Sequence, residues 1–402
     1  MVLHPRSSEG PGRGSATPRA VLFVVDEIVT PSAGTEGQLL QLIGGLAGSS
    51  IEPHLAVLRN SDFVASGAVP CPVHVLDLRK LAALTSVSKL LSLARLISTL
   101  SAHVAHVFFN DASIVAPPFS RLAGARTVVS RRDMGFWYTP SVLRALRLAN
   151  RFVDVIVANS DAVKQNVSVK ERFPLNRIEV IGNGHRPERF TALPDPDLRR
   201  RLGIKPSDPV VGMVANLYQR KRQADLVKAF ARVRETHREA HLILVGRGPD
   251  SADLQTLAST LHLNSAFHVL EGVAEPVSIV KHFDVAVLCS ESEGFSNSIL
   301  EYAFCERPIV CTNVGGNVEI VEHEQSGLLV GVGDVEALAA AIAGVLHDPA
   351  LGRALGQRAY HLARTRYSAD AMVSAYAALY DRLSSGPTAA AARHDGLRSR
   401  AS

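Results

Sequence analysis

The chain has 402 residues, 47% of them hydrophobic and 20% charged, the proportions of an ordinary globular protein of two or three domains. That much apolar side chain buries a sizeable core and excludes collagen-like, disulfide-stapled and wholly disordered chains. Forty-three Lys and Arg against 38 Asp and Glu leave +5, a diffuse surplus that suits phosphates or an anionic surface and does not describe a nucleic-acid binder.

Residues 1–19 are rich in Gly, Pro and Ser, and 385–402 are polar and rich in Ala and Arg; both read as disordered tails. Ala20–Val25 is too short for a signal-peptide core and runs into Asp26-Glu27, so it reads as a first strand. No uncharged apolar run reaches the ~18–20 residues of a membrane-spanning helix. Further strands are expected at His54–Arg59, Val73–Leu78, Val104–Phe109, Arg126–Ser130, Val153–Ala158 and Arg177–Ile181. Helical periodicity falls between most of them, at Glu36–Leu46, Ser88–Leu100, Ser141–Phe152 and Asp161–Arg172. This alternation predicts a parallel sheet with helices on its faces, over residues 20–190.

Pro194, Pro196, Pro206 and Pro209 mark a linker over 191–208. The rhythm restarts with strands at Val210–Ala215, His241–Val245, Phe267–Leu270, Val285–Cys289, Ile309–Cys311 and Gly327–Val330. Helices are expected at Ala224–Thr236, Leu254–Leu261, Asn297–Cys305 and Val335–Leu346, followed by two more before the tail. The expectation is two α/β domains without internal sequence repeat, facing a cleft at the carboxyl ends of their strands. Cys71, Cys289, Cys305 and Cys311 lack metal-ligand spacing, and three sit in apolar runs, so they read as buried thiols in a reducing compartment.

The most informative stretch is CSESEGFSNSILEYAFCERPIVCTNVGGNVEIVEHEQSGLLV, Cys289–Val330. An apolar strand leads through a glycine-containing turn into a helix starting near Ser296 or Asn297, both good N-cap residues. Such a helix start offers unpaired N–H groups and the positive end of the dipole, a physical site for phosphate. Glu293 precedes the turn and Glu301 follows eight residues later, so two carboxylates can address hydroxyls on either side of a diphosphate. Alone, the pair reads more readily as surface carboxylates of an ordinary βα unit; the residues around it change the weighing.

The run Glu293-Gly294-Phe295-Ser296-Asn297…Glu301, continued by Pro308-Ile309-Val310, Gly315-Gly316, Glu319 and Gly327-Leu328-Leu329-Val330, resembles the E-x7-E donor-binding element of retaining glycosyltransferases of family 4, with the GT-B fold. VANLYQRKRQADLVKAF (Val214–Phe230) is similar to the loop that supplies cations to the donor diphosphate, with Lys221 at the family's lysine and Arg222 in place of the usual glycine. Asn216 stands where arginine is common, and Arg220 and Arg222 flank Lys221. PSAGTEGQLLQLIGGL (Pro31–Leu46) resembles the family's N-terminal Gly-Gly-x-Glu loop, with Ala33 and Gly34 at the two glycines. GNGHRPERF (Gly182–Phe190) resembles the segment before the interdomain linker, with His185 and Arg186 replacing the usual valine and aspartate. In SRRDMGFWY (Ser130–Tyr138), Arg132 falls at or near a position where the family often carries histidine; always protonated, it suits an acceptor or phosphate and not acid–base work. His103 and His106 read as structural.

The resemblance implies two Rossmann-like doubly wound domains, at 20–190 for the acceptor and 209–366 for the nucleotide sugar, with a final helix over 367–384 crossing back. It implies transfer of a sugar to an acceptor hydroxyl with retention of configuration and without an essential metal or other cofactor. Lys221 and Glu293 would be catalytic. Glu301, Arg220, Arg222, Asn216, Gly294, Phe295, Ser296 and Asn297 would bind the donor, and Gly34 and Arg132 the acceptor or a phosphate. Rival readings are a sugar-nucleotide epimerase and a silent binding relative of the same fold. The acceptor is expected to be a glycan or lipid-linked, in cell-surface polysaccharide or glycolipid synthesis at the inner face of a cell membrane. Two helices are candidates for contact with an anionic membrane: Lys80–Leu100, with the stripe Leu84, Val87, Leu91, Ala94 and Ile97, and Ser141–Phe152, with Arg144, Arg147 and Arg151. The competing reading of each is a helix packed on the sheet.

Overall fold

The computed structural model describes residues 19–29, 34–78, 84–273 and 275–385. Among them lie two wholly parallel sheets. The first has seven strands, β1 Arg19–Val25, β2 Ile51–Val57, β3 Val73–Val75, β4 Val104–Val107, β5 Arg126–Arg131, β6 Val155–Ala158 and β7 Ile178–Val180, in the order β3-β2-β1-β4-β5-β6-β7. The second has β8 Val210–Val214, β9 His241–Val245, β10 Phe267–Leu270, β11 Val285–Leu288, β12 Ile309–Thr312 and β13 Leu328–Val330, in the order β10-β9-β8-β11-β12-β13. Strands of this kind are covered on both faces, which is why they read as short apolar runs. Each sheet has one topological switch point, β1/β4 and β8/β11, where a crevice opens beyond the strand ends.

All the expected strands are present with small shifts of boundary. Between β4 and β5 a helix, Asn110–Leu122, forms although Pro117 and Pro118 each remove a backbone donor from it. It lays Ala112, Ser113, Ala116, Pro117 and Ser120 inward, small side chains that let it approach the sheet closely. The linker expected over 191–208 contains a helix, Leu198–Leu202, because Leu198 and Ile204 are buried in the second core and Gly203 ends it in the left-handed region. The expected disordered tails lie outside the described residues except at their inner edges, where Arg19 opens β1 and Ser385 closes the last helix.

That last helix, Ala369–Ser385, leaves the second domain and packs on the first. Met372, Tyr376, Leu379 and Tyr380 share a core with Phe23, Leu39 and Leu42, and Arg19 pairs with Asp381 at 2.8 Å. His106 is fully buried beneath it, with Nδ1 2.6 Å from the Tyr380 hydroxyl and Nε2 2.9 Å from Ser130 Oγ. Burial and nearby Arg132 hold its pKa well below the ordinary histidine value, a core role. His103 is exposed just ahead of β4 rather than on it.

Of the two candidate membrane helices, Leu84–Thr99 lays its apolar side in a core shared with the first sheet, whereas Pro140–Ala149 packs against the neighbouring helices Asn110–Leu122 and Asp161–Glu171 and not on the sheet. In Leu84–Thr99 the inward face is Leu90, Leu93, Ala94 and Ile97, while Val87 and Leu91 face out, so the expected stripe is split between faces. In Pro140–Ala149, Arg147 donates to the Lys170 carbonyl at the end of a neighbouring helix, and Arg144 and Arg151 remain exposed. Among the described residues no single helix is long and apolar enough to cross a membrane; Val335–His347 and Pro349–Arg366 pass only as a pair bent by 103°.

The domains also meet through Glu319. Its carboxylate accepts the backbone N–H groups of Asp161 and Ala162, both at 3.0 Å, at the start of the Asp161–Glu171 helix in the other domain. A carboxylate there satisfies two orphan donors and meets the positive end of the dipole. Glu319→Ala is expected to weaken the closed arrangement by about 1–2 kcal/mol, the scale of charge-assisted bonds at a helix start. A lower thermal midpoint with a larger radius of gyration by small-angle scattering would show it; an unchanged radius would count against this contact as a clamp.

Candidate active site

The β8/β11 crevice is opened by strand divergence. These strands pair only at Val211–Val285 and Gly212–Ala286. Beyond that the Tyr302 hydroxyl fills the gap, accepting the Val214 N–H at 2.6 Å and donating to the Val287 carbonyl at 3.4 Å. Ser298 Oγ donates to the Val214 carbonyl at 2.8 Å. These contacts pin the Asn297–Phe304 helix so that its N-terminus faces the crevice. Ser296 is the N-cap, its Oγ accepting the Ile299 N–H at 3.2 Å.

Glu293 and Gly294 are wedged between backbones. A Cβ on Gly315, where φ is +48°, would stand 1.8 Å from the Glu293 carbonyl oxygen. A Cβ on Gly294 would meet the Arg132 carbonyl of the other domain at 2.8 Å. Only glycine permits both approaches. The wedge leaves the Glu293 carboxylate against Lys221, with Nζ–Oε1 at 2.5 Å and both side chains largely buried. The Lys221 loop is tied down in turn. Cys289 Sγ donates toward the carbonyls of Lys221 and Arg222 at 3.3 and 3.2 Å, and Glu291 N–H bonds the Arg220 carbonyl at 2.9 Å. Burial pushes the Cys289 thiol up to about 12, so it acts as a neutral donor.

The three neighbouring cations are treated differently. Lys221 faces Glu293. Arg220 lies over two rings, 4.7 Å from that of Phe136 across the cleft and 5.0 Å from that of Tyr218. Arg222, in the left-handed region at φ 55°, gives its Nε to Asp225 Oδ2 at 2.6 Å and has Glu291 at 4.0 Å. Its charge is thus taken up away from Lys221. Asn216 is exposed, its carbonyl accepting from Gln223 at 2.9 Å. Phe295 is buried against Tyr367, with ring centroids 5.3 Å apart, so it pins the loop from behind rather than lining the crevice.

Glu301 is placed differently from the expectation of a carboxylate reaching back along the open helix face. It is buried, and its Oε1 pairs with Arg189 Nη1 at 3.0 Å. Burial holds its carboxyl above the usual glutamate value, opposed by Arg189. Nothing in GNGHRPERF marks Arg189 except a charge next to an aromatic, Phe190, which the structure shows to be buried. His185 is buried, and burial and Arg189 lower its pKa to about 3, so it is neutral and structural; Arg186 is exposed.

From the other domain, Arg132 donates to Asn183 Oδ1 and reaches the Tyr376 hydroxyl at 3.4 Å. Asn183 Nδ2 donates to Asn297 Oδ1 at 2.5 Å, so one amide links Arg132 to the first residue of the helix that faces the crevice. A Cβ on Gly34 would stand 3.0 Å from Asn297 Nδ2, so this loop also closes on that residue; Ala33 lies outside the described residues. Beneath Arg132, Arg131 makes a buried fork with Glu171 at 2.6 and 3.0 Å, and Tyr138 donates to the same carboxylate. The structure therefore brings together Lys221, Glu293, Gly294, Ser296, Asn297, Gly34 and Arg132. Asn183 is a member that the sequence did not single out.

Two Rossmann-like domains closing on a helix N-terminus, a lysine and a carboxylate define the GT-B glycosyltransferase fold. Residues 194–362 match the family described as Glycosyl transferases group 1, and 32–189 match Glycosyltransferase Family 4. The chain belongs to glycosyltransferase family 4. It is 31% identical over 183 residues to the N-acetyl-alpha-D-glucosaminyl L-malate synthase of Bacillus anthracis, a match covering 46% of this chain and 48% of that one. The chain thus spans about half the length of that relative. It is 30% identical over 275 residues to the GDP-mannose-dependent alpha-(1-6)-phosphatidylinositol monomannoside mannosyltransferase of Mycolicibacterium smegmatis, covering 64% of this chain and 71% of that one. Among solved structures, Anabaena Alr3699/HepE in complex with UDP superposes with a TM-score of 0.79 at 22% identity, over 90% of this chain and 99% of the other.

Gly315→Ala would force the Glu293 backbone aside and put alanine in a left-handed conformation. It is expected to cost about 2–4 kcal/mol of stability. Calorimetric unfolding checks this; a loss under about 0.5 kcal/mol would refute the wedge.

Proposed function

We propose that the protein transfers a sugar from a nucleoside-diphosphate sugar to an acceptor hydroxyl with retention of anomeric configuration. The observation that carries this reading is the Lys221–Glu293 pair at 2.5 Å beside the start of the Asn297–Phe304 helix. A diphosphate entering there meets the Lys221 ammonium and the helix N–H groups, with Arg220 close by. Charge stabilisation preorganised in this way lowers the barrier to departure of the nucleotide. Glu293 holds hydroxyls of the transferred sugar, and Glu301 those of the nucleotide's ribose. The acceptor oxygen bonds to the anomeric carbon as the carbon–oxygen bond to the diphosphate breaks. The electron pair goes to the leaving phosphate, which takes the acceptor's proton. Arg132 faces the acceptor or the distal phosphate. No metal or other cofactor is assigned to this step.

The named activities of the relatives favour transfer over epimerisation or binding alone. They leave two donor bases to distinguish, since one relative is GDP-mannose-dependent and one structural neighbour holds UDP. A glycan or lipid-linked acceptor follows the same relatives. For a lipid-linked acceptor, the exposed Arg144, Leu148, Arg151 and Phe152, at helical spacing along and just after Pro140–Ala149, suit an anionic membrane surface. On this reading the enzyme acts in the cytoplasm, peripheral to the inner face of the membrane.

Thermal stabilisation by UDP-, GDP-, ADP- and dTDP-sugars is expected for one base series and lost in Glu301→Ala, because a ligand of the native state raises the midpoint with its affinity. Lys221→Ala is expected to slow transfer by about 100-fold or more, the scale of a lost oxyanion donor, with a smaller effect on nucleoside binding. Product analysis by mass spectrometry and NMR checks this. An isomerised donor without a new glycoside would establish the epimerase, and wild-type turnover in Lys221→Ala would refute the placement of the donor. Co-sedimentation with anionic vesicles should fall when Arg144 and Arg151 are both replaced by Ala; unchanged binding would remove this face from the membrane reading.

A further inference from the structure

Arg189 sits on the short 3-10 segment Pro187–Thr191, where the chain passes from the first domain to the second. Its guanidinium is held on both sides. Nε and Nη2 form a fork on Glu275 at 2.9 and 3.0 Å, which leaves Nη1 directed at Glu301 Oε1 at 3.0 Å. The next residue, Phe190, stacks on Phe304 of the donor helix, with centroids 4.8 Å apart and planes 8° from parallel. The crossover segment is thereby fixed to the same helix twice, once by rings and once by charge.

We propose that Arg189 is a positioning residue for donor recognition, holding the Glu301 carboxylate in the place from which it binds the nucleotide's ribose. The inference rests on the assignment of Glu301 to the ribose. A planar fork fixed by one carboxylate can aim its remaining nitrogen at a second, which a lysine ammonium cannot do.

The neighbouring groups give this arrangement a signature in pH. Burial and the Glu275 charge both push the Glu301 carboxyl up, and Arg189 is the cation that opposes them. The other groups around it are neutral near pH 7. Burial raises the Cys305 thiol to about 12 and raises the Tyr302 phenol further, and the His185 ring, with Nδ1 3.4 Å from Arg189, titrates at about 3. With Arg189 gone, Glu301 would hold its proton to higher pH, and a protonated carboxyl accepts ribose hydroxyls less well.

The test is calorimetric titration of the full chain with UDP, GDP and ADP from pH 5.5 to 8.5, pursued with whichever binds. Affinities are read relative to wild type at each pH, because the terminal phosphate of the free nucleotide itself ionises at about pH 6; a flat profile below means a constant ratio to wild type. Arg189→Gln should bind roughly tenfold more weakly at pH 7, a change of about 1.4 kcal/mol, and regain affinity as pH rises. Arg189→Lys, which keeps the charge and guards against misfolding of the first variant, should lose about threefold with a flat profile. Glu301→Gln should be weak at every pH. Wild-type affinity in Arg189→Lys, or a flat profile in a folded Arg189→Gln, would overturn the positioning role while leaving the donor site standing. Wild-type affinity in Glu301→Gln, or no binding of any of the three by the wild-type chain, would overturn the ribose assignment and the inference with it.

Discussion

The active cleft depends on a close stacking of backbones. The Glu293–Gly294 turn lies between the Gly315-Gly316 turn of its own domain and the Arg132 carbonyl of the other, with no room for a β-carbon at Gly294 or Gly315. A carboxylate on such a turn has little freedom to move, so its pairing with Lys221 is set by the main chain more than by the side chains. Three loops that follow three different parallel strands are thereby locked to one another. The helix start that faces the crevice inherits its position from them.

Charge is distributed unevenly around this frame. Arg222 is paired with Asp225 and Arg220 rests on rings, while Lys221 meets a single carboxylate at the crevice. A diphosphate entering there would compete with Glu293 alone for the lysine. Behind the cleft the Arg131–Glu171 fork is buried with full partners, Tyr138 and Asn150, and anchors the loop carrying Arg132. Removing one member of such a pair leaves an uncompensated charge, which is far costlier than losing a surface bridge.

The two domains communicate through small polar contacts at the strand ends and through one large apolar one. Glu319 on the Asp161 helix start, Asn183 on Asn297 and Arg220 on Phe136 cross the cleft, whereas Tyr376 and Tyr380 bury the last helix in the first domain's core. The apolar contact holds the domains together whatever the cleft does. The polar ones can exchange partners with water or substrate at modest cost, since each is worth about 1 kcal/mol net.

Much of this protein was legible in its residues. Apolar runs alternating with helical periodicity marked all thirteen strands, because a strand buried on both faces has to be continuously hydrophobic. The strand, glycine turn and N-cap at Cys289–Ser296 marked the helix start that faces the crevice, because those residue types are required locally. Local rules misread what depends on distant partners. The helix through Pro117 and Pro118 forms because the sheet accepts its small inward face, and Phe295 turns inward because Tyr367, 72 positions on, is there to meet it. Which of three adjacent cations faces the crevice, and that Glu301 is gripped by an arginine from the interdomain crossover, are decided by contacts between residues far apart in the chain. Periodicity and propensity report a residue's neighbours in sequence. Only the packing of the two domains across the cleft decides its neighbours in space.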